Sequence, residues 1–170
     1  MNTQPNTGRM PGNAAQPAMN PNANGGINET EFRQSVIPRA ALSLAACQIA
    51  ITKCANANAK EFAGFELTEA TAVVQVLKEM GTPEPMMDAN AKATLDKFRT
   101  MPAGPAFDKF FMQAEYDNHE FLRDLTDNYL RAPRSKPSPA ETETHHIATV
   151  ALANFKEHVA MTKRILKELA

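Results

Sequence analysis

The chain has no tryptophan, two tyrosines, two cysteines and one charged residue, Arg9, in its first 26 positions. Each scarcity excludes something. Without Trp the aromatic content is nine Phe and two Tyr, and alanine is abundant, which suits closely packed helices better than a large aromatic ligand pocket. Cys47 and Cys54 are seven apart in one predicted helix, about 10 Å of rise, so they cannot bridge each other and read as buried thiols. Charge of neither sign prevails: 18 basic and 19 acidic side chains give −1, which argues against a dedicated nucleic-acid binder, since that needs a basic face for phosphates. No glycine-rich loop is placed for phosphates and no Ser or Cys has a placed His, so hydrolysis and nucleotide use have no support, and an enzyme is not the favoured reading. No apolar run is expected to span a bilayer, and the first 26 residues lack the apolar segment of a signal peptide. The residues alone leave a cytoplasmic protein or one whose signal was removed.

Helical periodicity is present in quantity. Residues 1–28, which hold four of the seven Gly and four of the twelve Pro, read as a disordered Asn/Pro/Gly-rich tail, and residues 29–170 as one helical bundle. Almost nothing alternates as a strand would, so the fold class is all-α. Asn28 and Glu31 form a capping-box pair, and Pro38 is expected to divide a short helix from a longer one ending near Ala55, with Ala40, Leu44, Cys47, Ile51 and Cys54 inward. A second helix is expected to be capped by Asn58 and Glu61 and stopped at Gly81 and Pro83. A crossover follows with one short amphipathic piece, Asp88 to about Arg99. Pro105 opens the third long helix, and Ser138, Pro139 and Glu141 open the last, whose stripe includes Phe155, His158, Thr162 and Ile165.

Loop lengths predict the wiring. Short links make hairpins of the first two and the last two long helices, while the roughly twenty-residue middle link is long enough to run the full bundle. The expected fold is a ferritin-like four-helix bundle with a long crossover containing a short helix; an up-down bundle with short loops is the alternative.

Three strings, Ile49 to Ala63, Phe107 to Leu122 and Ile147 to Met161, resemble signatures of a large bacterial family of exported ferritin-like proteins of unknown function, often labelled predicted outer-membrane proteins. The resemblance implies a ferritin-like bundle exported to the periplasm or cell envelope, with no established activity. It also implies a Glu in the first helix where this chain has Ser43, and an Asp-His pair where it has Glu69 and Ala70. His119 and His158 match the family's other two histidines.

A di-iron bundle needs a Glu from each of two helices and a Glu-x-x-His from each of the other two. This chain has one such motif, Glu143 to His146, and His146 lies about 120° around the helix from His158, off the inward stripe. The better set is Glu66, Glu69, Glu115, His119 and His158. Rise counting makes Glu66 and Glu69 level with Glu115 and puts His158 within about two turns, but sets His119 about 10 Å from His158, so the two rings are not expected to share an ion. Inward polar residues more often bond one another than hold a metal, so no cofactor is expected, with Fe, Mn, Zn or Cu the alternative. Met86 and Met87 read as gap fillers beneath the crossover. The favoured function is a non-enzymatic cell-envelope bundle acting through a protein partner or self-association; a metal-binding redox or storage protein is the alternative.

Overall fold

The structure, a computed structural model, describes residues 27–84, 86–134 and 136–170. These form α1 (Glu29–Lys53), α2 (Ala57–Glu79), α3 (Ala89–Thr100), α4 (Pro105–Arg131) and α5 (Pro139–Glu168), with no strand among the described residues. Most of the expected tail lies outside that range. Its last two residues belong to the bundle: Ile27 packs on the core, and Asn28 caps α1 in a reciprocal box with Glu31. Asp88 caps α3 and Ser138 caps α5, each accepting from a backbone N–H three residues on.

Two boundary expectations are corrected. Pro38 does not divide α1, which runs unbroken through it. Proline removes the bond to the carbonyl of Gln34, and both residues are exposed, where water replaces the lost partner. The cap of α2 is Asn56, which accepts from Ala59 N–H at 3.0 Å; Asn58 instead donates to Glu168 across the bundle end at 2.7 Å. The inward stripe of α1 is also rotated from the expected one. Val36, Ala40, Ser43, Cys47 and Ala50 are buried, while Leu44 and Ile51 sit at its edge, because many small residues let α1 approach its neighbours on a polar position. The same alanine-rich composition makes α1 long and apolar enough to cross a membrane by length and composition, contrary to the expectation that no stretch is. Its buried face goes to the bundle core. Both cysteines are free and buried, and burial first, then nearby carboxylates, pushes the Cys47 thiol far up. Met87 packs on the core as expected; Met86 does not and is almost fully exposed.

Two apolar clusters fix the wiring. One joins the C-terminal half of α1, the starts of α2 and α4, the end of α5 and α3; the other joins the start of α1, the ends of α2 and α4 and the first half of α5. Hence α2 and α4 run parallel, and the segment from Gly81 to Gly104 spans the bundle between them, as the loop lengths predict. Two polar clasps hold the α3 end. The buried Asp108 carboxylate accepts from Ala55 N–H at 3.0 Å and Asn56 N–H at 2.8 Å, satisfying the turn between α1 and α2. Lys53 Nζ donates to the carbonyls of Phe98, Arg99 and Met101, closing the end of α3. Between the clusters lies a band of buried polar side chains.

Candidate functional site

Each long helix brings a polar residue to this band at helical spacing: Ser43 from α1, Glu66 and Glu69 from α2, Glu115 and His119 from α4, Asn154 and His158 from α5. Helices repeat every 3.6 residues, so Glu115 and His119, or Asn154 and His158, share one face. Three of their atoms form a nearly equilateral triangle. His119 Nε2 lies 3.1 Å from Glu66 Oε2, and His158 Nδ1 lies 3.0 Å from each of those two atoms. All three residues are buried.

The remaining nitrogens are committed elsewhere. His119 Nδ1 is 2.8 Å from the carbonyl oxygen of Glu115, an acceptor only, so that nitrogen carries a proton and donates it. His158 Nε2 faces Glu69 Oε2 at 3.4 Å, and Asn154 Nδ2 donates to the same oxygen at 3.2 Å. A proton on His158 Nε2 suits that carboxylate. Both rings then aim a lone pair at a carboxylate oxygen, and the triangle needs one positive charge at its centre. One proton shared between His119 Nε2 and His158 Nδ1, 3.0 Å apart and each within reach of Glu66 Oε2, supplies it in the ion-free protein.

Ser43 makes the second half of the network. Its Oγ is 2.6 Å from Glu66 Oε1 and 2.8 Å from Glu115 Oε2. A hydroxyl has one proton for two acceptors. The other proton must therefore come from Glu115 as a carboxylic acid, giving a chain Glu115 to Ser43 to Glu66.

The electrostatics agree with that assignment. Burial pushes Glu66 up, but hydrogen bonds from His119 and His158, the His119 charge and the Ser43 hydroxyl outweigh it and hold the carboxyl at about 2. Burial pushes His119 down, yet the Glu66 carboxylate, with Glu115 behind it, lifts the ring to about 9. Burial and then the Glu66 charge raise Glu115 to about 7. Apolar walls keep water out: Phe62 packs in T-shaped contacts with both rings, and Phe155 with that of His119.

All five candidate residues therefore fall in one connected network, in unequal positions. Glu66, His119 and His158 make the triangle, Glu115 is joined to it through Ser43, and Glu69 stands on the outer side of His158. The separation expected between the histidines is corrected: their ring centroids are 4.8 Å apart. His158 lies 19 residues after the start of α5, but His119 only 12 before the end of α4. The hairpin is thus staggered by roughly 10 Å, which a count from level helix ends cannot reveal. Glu143 and His146 are exposed and outside the network, as the helical angle implied. Asn154 is unmarked in the sequence, and Ser43 stands out there only through the family resemblance; the local signal of each is a small polar residue, four before His158 and four before Cys47, on an otherwise inward stripe.

No curated protein and no solved structure matches the chain. The model of the DUF4142 family, described as a domain of unknown function, matches residues 11–165. By that match, which spans nearly the whole chain, the protein belongs to the DUF4142 family, whose function is unknown.

Proposed function

We propose that the bundle binds one divalent first-row transition ion between Glu66, His119 and His158. The observation that carries this is the triangle itself. Three ligand atoms with edges of 3.0 to 3.1 Å match mutually adjacent positions of an octahedron whose bonds are about 2.1 Å, where the edge is roughly 3.0 Å. Two imidazoles and a carboxylate are the donor set of mononuclear sites for iron, manganese, zinc and related ions. The outer groups support the same reading: the Glu115 carbonyl holds the far nitrogen of His119, and Glu69 Oε2 faces that of His158 at 3.4 Å. The ion replaces the central proton. Ser43 stands where a second site's carboxylate would be needed, so the site takes one ion and not two.

What the ion supplies is either a redox centre or a store, within a ferritin-like bundle working in the cell envelope; the resemblance of the three signature strings supports that fold name and that compartment. Cell fractionation tests the compartment, and recovery in the cytosol alone contradicts it. Protein purified without chelator should carry close to one equivalent of Fe, Mn, Zn or Cu. After stripping, ion added at 100 times Kd should stabilise the fold by about 2.7 kcal/mol. Less than about a tenth of an equivalent, with no thermal shift on adding ion, overturns the proposal, since binding to the folded state must raise stability.

A second reading, action through a protein partner or a second copy, is favoured by the half-exposed Phe65 and the exposed Val150, large apolar side chains on α2 and α5. Sedimentation of the purified chain at rising concentration tests self-association: a shift toward dimer that Phe65→Ser and Val150→Ser remove supports it, and a monomer throughout removes it.

A further inference from the structure

We infer that Glu69 is the entry point of the ion site: the carboxylate that first holds a divalent cation arriving from solvent and hands it past the His158 ring to the buried triangle. This rests on the metal reading above. The triangle is closed on its other sides: Glu66, His119 and His158, together with Ser43, Glu115 and Phe62, are each no more than 5% exposed. Of the polar groups described as touching the three ligands, Glu69 is the one that reaches water, with its side chain 37% exposed.

Its position has the features of a mouth. Glu69 lines a groove of about 400 Å³ between α2 and α5, whose walls include Ala72, Val73, Val150 and Ala151. Those four side chains offer a cation nothing, and the other polar residues of the groove, His146 and Asn154, bring no negative charge. Glu69 is the one carboxylate that lines the groove, and Asn154 fixes it by donating to Oε2. The same oxygen lies 3.4 Å from His158 Nε2, while the other nitrogen of that ring is a corner of the triangle. One imidazole thus separates the outer carboxylate from the inner one, and a cation leaving Glu69 has a single ring to pass. A negative charge at the end of a low-dielectric groove raises the local concentration of cations and their rate of arrival.

The test is stopped-flow exchange of Zn(II) between a fluorescent chelator and the stripped full chain. Glu69→Gln keeps an acceptor facing His158 and removes the charge, so an entry role predicts that association slows about tenfold, whatever change in Kd the altered contact with His158 brings. Glu69→Asp, which restores the charge on a shorter arm, should recover most of the rate. Circular dichroism melting checks that both variants fold. An unchanged association rate in Glu69→Gln overturns the inference, and so does a change in dissociation alone, because that marks a group that only orients His158. If wild type itself takes up no zinc, the metal reading falls and takes this one with it; if wild type binds and the variant keeps pace, the entry role alone falls.

Discussion

His119 is oriented by Glu115, one turn earlier on the same helix, whose carbonyl oxygen holds ring nitrogen Nδ1 at 2.8 Å. That bond settles which nitrogen faces the bundle centre. In the ion-free protein the inward nitrogen needs its share of the central proton, because Glu66 Oε2 is 3.1 Å away and buried as a carboxylate. His119 is thus the counter-charge of Glu66 when no ion is bound and its fellow ligand when one is.

Removing the ring should therefore expose the cost of an unpaired buried charge. His119→Leu is expected to destabilise the chelator-treated protein by about 3–5 kcal/mol. Adding Glu66→Gln should recover at least half of that loss, since no charge is then left to compensate. Urea unfolding of the single and double variants gives both numbers. Equal losses in the two would contradict the pairing.

Stability against pH follows from the same network. Glu66 is held at about 2, below its ordinary 4.5, so its contribution is present above 4.5 and is lost as pH falls through about 2. His119 is raised from 6.5 to about 9, so its contribution is complete below 6.5 and disappears as pH climbs through about 9. Glu115 is raised from 4.5 to about 7, so keeping its proton favours the folded state below 4.5 and that gain fades by about 7. The chelator-treated bundle should be most stable near pH 4 to 5 and lose stability on the order of 3 kcal/mol or more by pH 9. Urea titrations across that range check it. A profile that is flat or rising from pH 5 to 9 would show that the central proton is misassigned.

Asp108 separates scaffold from site. Its carboxylate takes the two N–H groups of the turn between α1 and α2, and neither group has another partner in helix geometry. Asp108→Ala should cost about 2–4 kcal/mol while leaving the affinity for Zn(II) unchanged within about twofold, measured by calorimetry at a temperature where the variant is folded. A loss of affinity without a loss of stability would place Asp108 in the site instead.

How much of this could be read from the residues depends on which physical term was local. Caps are local: Asn28 with Glu31, Asp88, and Ser138 with Pro139 mark helix starts within a turn, and the structure follows them. Loop length is nearly local, and it predicted the crossover between parallel α2 and α4. Register between helices is not local. The stagger of α4 against α5 comes from side-chain packing along the whole hairpin, so rise counting sets His119 and His158 apart along the axis although each is legible as inward. Ser43 is marked in the sequence only by the resemblance, as the place of a family Glu: a serine on an alanine-rich face carries no periodic signal, and its partners 2.6 and 2.8 Å away on α2 and α4 give it its role. Asn56 prevailed over Asn58 as a cap because both types fit the position, and the choice is made by Asp108 holding Ala55 and Asn56 in the turn.

The central claim, a single divalent ion between Glu66 Oε2, His119 Nε2 and His158 Nδ1, is tested most directly by anomalous diffraction at the zinc edge from crystals of the stripped chain equilibrated with excess Zn(II). The account predicts one strong buried peak about 2.1 Å from each of those three atoms, absent from crystals of His119→Gln. Zinc found only on surface residues such as His145 and His146, with the triangle empty at full occupancy of those sites, would contradict it.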